Sequence, residues 1–188
     1  MRRLVVALVV LLAGCAISAQ GRGERALLRG DFAGAITEFQ QALAEDPDRL
    51  RALQGLGVAQ YKSDMLGDAE ATFSRVLARE PHSGTALLYG GLLALRQRQD
   101  DVAADRLTQL RLIEPDPRFG AQADRAFALL RAQPATDETR AFVAASLEDA
   151  ARAALELRAA QDEINRAWAL SAAYPIHCYP TRRGFVCF

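Results

Sequence analysis

"GDFAGAITEFQQALAEDP", Gly30 to Pro47, decides how this chain folds. It ends on a proline, and Pro81 and Pro115 follow at one and the same interval. Read backwards from each proline, the segment repeats in register. Ala35, Ala69 and Ala103 align, as do Phe39, Phe73 and Leu107, and then Ala42, Val76 and Leu110. Upstream, Gly23, Gly57 and Gly91 fall in step; Leu53 matches Leu87, and Leu56 matches Gly90. A fixed period, here about 34 residues, marks stacked supersecondary units, each unable to bury its apolar face alone. Alanine and leucine dominate and aromatic residues make up 7%, which favours helices over sheet.

This pattern resembles the tetratricopeptide repeat over residues 20–117, which implies three units of two antiparallel helices. In that reading the small Gly and Ala positions let helix A and helix B approach closely, and Phe39, Phe73 and Leu107 fill the space between them. Proline follows helix B because it disfavours helical geometry at the preceding residue, here Asp46 and Glu80 in the first two units. The first unit is shortened, its helix A beginning near Gln20. Gln60 and Ala94 stand where the family often has tyrosine, and Tyr61 comes one step late.

Beyond Pro117 the repetition fades. Residues 118–133 read as one amphipathic helix, a capping element or degenerate fourth unit. Residues 134–173 follow, with Pro134 as the break and Thr136-Asp137-Glu138 suited to a helix N-terminus. From Asp137 to Ala173 there is no Pro or Gly, and Val143, Leu147, Ala150, Ala154, Leu157, Ile164 and Trp168 form a stripe. An unbroken helix here would be a rod of ~55 Å. The stripe either folds back along the array or offers a seam to a partner helix. Residues 174–188 read as a short hairpin around the turn Pro180–Gly184. Pairing Cys178 with Cys187 puts Tyr179 opposite Val186 and His177 opposite Phe188. The expected fold is thus an all-α solenoid of helical hairpins, with about three repeats, C-terminal capping helices and a terminal hairpin linked by a disulfide.

The N-terminus carries Arg2 and Arg3, then an apolar run from Leu4 to Leu12, as in a secretory signal and too short to span a bilayer comfortably. Leu12-Ala13-Gly14-Cys15 resembles the lipobox of bacterial lipoproteins. The resemblance implies a signal peptide over 1–14, a diacylglycerol-modified Cys15 as mature N-terminus, and a tether over 15–19. Ala16, where Asp would favour retention in the inner membrane, implies the outer membrane, facing the periplasm. In that oxidising compartment Cys178 and Cys187 are expected to form a disulfide, worth roughly 2–3 kcal/mol for so short a loop.

Charge excludes one class of partner. The 23 basic residues, less Arg2 and Arg3 of the leader, stand against 23 acidic ones, so no nucleic-acid surface is expected. His82 and His177 have no nucleophile or carboxylate placed to work with them, so no catalytic residues, metal site or cofactor beyond the lipid on Cys15 is expected. A binding module fits better. In the repeat family helix A lines the concave side, which makes Arg51, Gln54, Val58, Tyr61, Lys62, Leu88, Leu92 and Arg96 the candidate surface for a protein partner. It reads as an apolar floor with cations at its rim, suited to an extended or helical segment with some negative charge. The second unit lacks the Asn of the family's carboxylate clamp, which disfavours chaperone-tail recognition. In layout the chain looks like the small lipoproteins that accompany pilus and secretion machines, including tight-adherence pili. The alternative is a lipoprotein of envelope maintenance that partners a peptidoglycan synthase.

Overall fold

The computed structural model describes residues 18–114, 116–132, 135–173, 178–181 and 184–187. The leader, Cys15, Pro115, Pro134, His177 and Phe188 lie outside the described residues. Among those described, the chain forms eight helices and one two-stranded hairpin. Helix α1 (Ala19–Leu28) pairs with α2 (Phe32–Glu45), α3 (Leu50–Lys62) with α4 (Leu66–Arg79), and α5 (Gly84–Arg96) with α6 (Asp100–Ile113). The first helices of the pairs, α1, α3 and α5, stand side by side and form one face of the array.

Close approach within each pair is set by one repeated contact. A Cβ added to Gly23 would sit 2.9 Å from the Phe39 ring, one on Gly57 2.6 Å from Phe73, and one on Gly91 2.8 Å from Leu107. A larger residue there would overlap a fully buried side chain, since Phe39, Phe73 and Leu107 have no exposed surface. The expected role of these positions is the observed one.

The turns inside the pairs repeat a feature that the sequence disguises. Gly30, Asp64 and Arg98, which occupy the same place in successive units, have φ of 76°, 63° and 59°. Each lets the chain reverse so that the following N–H bonds back into the helix: Asp31 to the Ala26 carbonyl at 2.9 Å, Met65 to Gln60 at 2.9 Å, and Gln99 to Ala94 at 2.8 Å. This closure satisfies carbonyls that a helix end would otherwise orphan. Helix starts are secured by side chains: Ser18, Asp31, Ser83 and Thr136 accept from the amides of Gly21, Gly34, Ala86 and Thr139.

The polar residue at the position where tyrosine is common has a physical reason. Gln60 is buried, and the Thr72 hydroxyl donates to its side-chain oxygen at 2.8 Å, so neither group is left unsatisfied. Between units, Arg106 of α6 forks onto Glu70 of α4 at 2.6 and 3.0 Å and also donates to the Gly90 carbonyl. That hydrogen-bonded pairing holds the Glu70 carboxyl below its ordinary range.

Stacking changes after the third pair. Helix α7 (Pro117–Ala132) packs on α6 and buries Phe119, Ala123, Ala126 and Phe127, but it is α8 (Asp137–Ala173) that lies against α5. The long helix therefore takes the slot beside α5 that a regular fourth unit would give to its first helix. Its stripe divides. Val143, Leu147 and Ala154 are buried, whereas Leu157, Ile164 and Trp168 are about half exposed or more. The proximal half folds back along the array, as the first sequence reading has it, and the distal half stays exposed.

Strands β1 (Cys178–Thr181) and β2 (Gly184–Cys187) pair antiparallel, with Cys178 opposite Cys187 and Tyr179 opposite Val186, the expected register. Pairing continues to Thr181 opposite Gly184, so the hairpin is tighter than the turn expected from Pro180 to Gly184. Pro180 is tolerated inside the ladder because both strands are edges.

Arg98 carries the strain of a left-handed backbone without the freedom of glycine. Its ion pair with Asp137 is exposed on both sides, so it offsets little. Arg98→Gly is expected to raise stability by about 0.5–1 kcal/mol, read as a higher urea midpoint at unchanged slope.

Candidate partner-binding face

The side-by-side first helices build the face on which the eight candidate residues were expected, and the structure sorts them into two groups. Arg51, Gln54 and Val58 border an open depression together with Glu24, Leu27, Leu28, Gly55 and Thr85. Tyr61, Lys62, Leu88, Leu92 and Arg96 lie further along, where α8 crosses.

The second group corrects the expectation of an accessible groove. Tyr61 is 6% exposed, Leu88 7% and Leu92 fully buried; in the first group Val58, at 7%, is buried as well. Their surface is spent on the chain itself. The Tyr61 ring meets Tyr89 edge-on at 5.4 Å between centroids, and Tyr89 stacks on Phe73 at 6.2 Å. Arg96 lies over the Tyr61 ring at 5.4 Å and pairs with Asp64. Tyr61 is thus a core aromatic with a cation on one face, not a surface contact.

Glu148 of α8 completes this cluster. Its carboxylate pairs with the Lys62 ammonium and accepts from the Tyr89 hydroxyl at 3.0 Å. Burial, followed by the negative charge of Glu148 and the hydrogen bond to it, raises the Tyr89 hydroxyl well above the usual tyrosine range. Tyr61 shifts upward too, through burial, with Arg96 pulling the other way. Besides the exposed Arg98–Asp137 pair, two further bridges fasten the helix. Arg140 forks onto Asp100 at 2.7 and 2.8 Å, and Arg158 pairs with Glu114. Tyr89, Glu148 and Arg140 were missed as members of the face; the acid in step with a stripe residue, Glu148 beside Leu147, was the available signal.

Because α7 does not dock beside α5, a cavity of 470 Å³ remains between α5, the end of α6, the start of α7 and α8. Leu88, Leu110, Ile113, Phe119 and Leu155 give it apolar walls, and His82, Arg152 and Arg158 stand among its polar groups.

The open group differs in chemistry. Gln54 spans to the next unit, donating to the Ser83 hydroxyl at 2.9 Å. Among the described residues Arg51 has no hydrogen-bond or ion-pair partner. Leu28 is 85% exposed at the edge of the depression. An apolar wall beside a cation with no partner of its own can take a segment with an apolar anchor and a carboxylate, although Glu24 also stands on the lining. No three His, Cys, Asp or Glu side chains among the described residues converge as a metal site needs, and no described helix is long and apolar enough to cross a membrane.

Glu148 is the tie between α8 and two first helices. Glu148→Ala is expected to cost about 1–3 kcal/mol and to speed amide exchange through the proximal half of α8, with α1 and α2 unchanged. Uniform exchange rates in variant and parent would remove this role from Glu148.

Comparison with known proteins agrees with the geometry. The sequence profile of the tetratricopeptide repeat matches residues 26–89, from the end of α1 into α5. Among solved structures, the crystal structure of MamA protein superposes with a TM-score of 0.52 at 17% identity, over 86% of this chain and 96% of that one. At that identity the likeness is one of fold. No curated protein matches the chain. With its fixed repeat period, its paired helices and these matches, the chain has an all-helical fold of tetratricopeptide type.

Proposed function

We propose that the protein is a lipid-anchored interaction scaffold of a bacterial envelope, held by Cys15 on the outer membrane and serving assembly of a machine such as a pilus or secretion system. The observation that carries the scaffold role is the half-open face: α8 covers α5, while the depression at Leu28 and Gly55 stays accessible beside the unpartnered cation of Arg51. A protein segment with an apolar anchor and negative charge matches it. The anchor is supported by the residues Leu12-Ala13-Gly14-Cys15, and a Cys178–Cys187 disulfide is supported by their positions directly opposite each other in the hairpin.

One mass measurement addresses both ends of the chain. Protein isolated from envelopes is expected to begin at Cys15 with added acyl mass and to show the loss of two hydrogens in the C-terminal peptide. An unmodified N-terminus with two alkylatable thiols would refute the anchor and the bond together.

Docking is tested separately. A photo-crosslinking residue at Leu28, on the depression, is expected to give protein adducts in intact cells. The same residue at Leu112, exposed on α6 away from the depression, is expected to give none. Equal labelling from both positions, or none from Leu28, would remove the docking role from this face.

A further inference from the structure

The array contains the same slot twice, once filled and once open. Gly55 stands one full repeat before Tyr89, so the two occupy equivalent places on α3 and α5. At the later place the Tyr89 ring stacks on Phe73, and the proximal half of α8 lies across it with Glu148 on Lys62. At the earlier place Gly55 has no side chain, and Phe39 points at it; a Cβ there would overlap the tip of the ring. What remains is a depression of 300 Å³ above the buried Phe39 ring, walled by Leu27, Leu28 and Val58, with Arg51 and Glu24 among its polar groups.

The same chain carries the complementary half. The stripe of α8 runs in steps of seven: Val143, Ala150, Leu157 and Ile164. Its proximal part is sealed against α5 and α7, whereas Leu157 and Ile164 are 48% and 49% exposed. Glu156 and Glu163, also seven apart, run along one flank of the exposed part and have no partner among the described residues. With no Gly or Pro between 137 and 173, nothing lets α8 bend back onto its own depression.

Resting on the docking role proposed for this face, we infer that its occupant is the distal half of α8 from a second copy of the chain. Leu157 and Ile164 sit against Leu27, Leu28 and the bare backbone at Gly55, and the Glu156–Glu163 flank faces Arg51. The donor is the continuation of the helix that already fills the equivalent slot one unit later, and Arg51 offers a cation to its acidic flank, whereas Glu24 on the same lining accepts from Gln20 at 2.9 Å. Each copy has one donor and one acceptor, so the contact closes as a twofold dimer where the exchange is reciprocal and propagates head-to-tail into a string or ring where it is not.

The test uses the full chain purified in non-ionic detergent, followed by sedimentation velocity across the micromolar range. The parent is expected to associate with rising concentration. Leu28→Glu with Arg51→Glu on the depression, and Leu157→Glu with Ile164→Glu on the helix, are each expected to weaken association about tenfold or more. All four side chains are substantially exposed, so circular dichroism and melting are expected to match the parent. Mixed one to one, the two double variants retain one sound donor and one sound acceptor, and are expected to form dimers that grow no further. A parent that stays monomeric overturns the inference, as does a mixture that fails to pair. Loss of association in the helix variant with a normal depression variant would instead mean pairing of two α8 helices, and overturns it too. Crosslinks from Leu28 to a different protein with a monomeric parent would refute the second copy and leave the docking role standing. Absence of any crosslink would refute that role itself.

Discussion

Everything in this fold leans on the contact between a glycine of one helix and the large side chain of its partner. Gly23 against Phe39, Gly57 against Phe73 and Gly91 against Leu107 bring each helix pair together at a distance that no other residue allows. Once that distance is fixed, the first helices must align side by side, and their outer surfaces become one continuous face. The candidate site is therefore a product of packing two layers below it. Gly55 is the point where the layers meet: Phe39 is wedged between Gly23 and Gly55, so the same ring that closes the first pair lies buried directly beneath the open depression.

The fourth hairpin shows what happens when the contact is missing. With no such pair to continue the stack, α7 stays with α6 and α8 swings beside α5. The result is a face whose later half is covered by the protein itself through Glu148, Arg140 and the buried stripe residues. Covering has consequences for the side chains beneath. Lys62, Tyr61 and Leu92 change from prospective contacts into structural members, whereas Arg51 stays outside.

The repeat was legible because its steric demands recur at the same places: a small residue, a large one and a proline in every unit. The bounds of the long helix were legible for a related reason, since Asp137 to Ala173 lacks any breaker and Thr136 caps it. The turns were not. Gly30, Asp64 and Arg98 share one backbone conformation, but only the first has the residue type that announces it. Nor could spacing show that Tyr61 turns inward. A shift of one residue moves a side chain by about 100° around a helix, enough to pass from surface to core when α8 comes to rest nearby. The direction in which a capping helix swings depends on contacts between distant segments, such as Arg140 with Asp100, and these leave no periodic trace.

The interior is not uniform along the array. Buried residues fall into two clusters. The one under α1, α2 and α3 consists of six alanines with Phe39 and Leu56, and it shares only the partly buried Leu27 and Leu43 with its neighbour. Alanine removes little apolar surface from water, and α1 has ten residues where the corresponding helices have thirteen. Among the three hairpins, the first is therefore expected to open most readily, since α8 packs against the later ones. Any occupant of the Gly55 depression would bridge α1 to α3 at the end of the array with the smaller core, so binding there would be felt as a rise in local unfolding energy of that end.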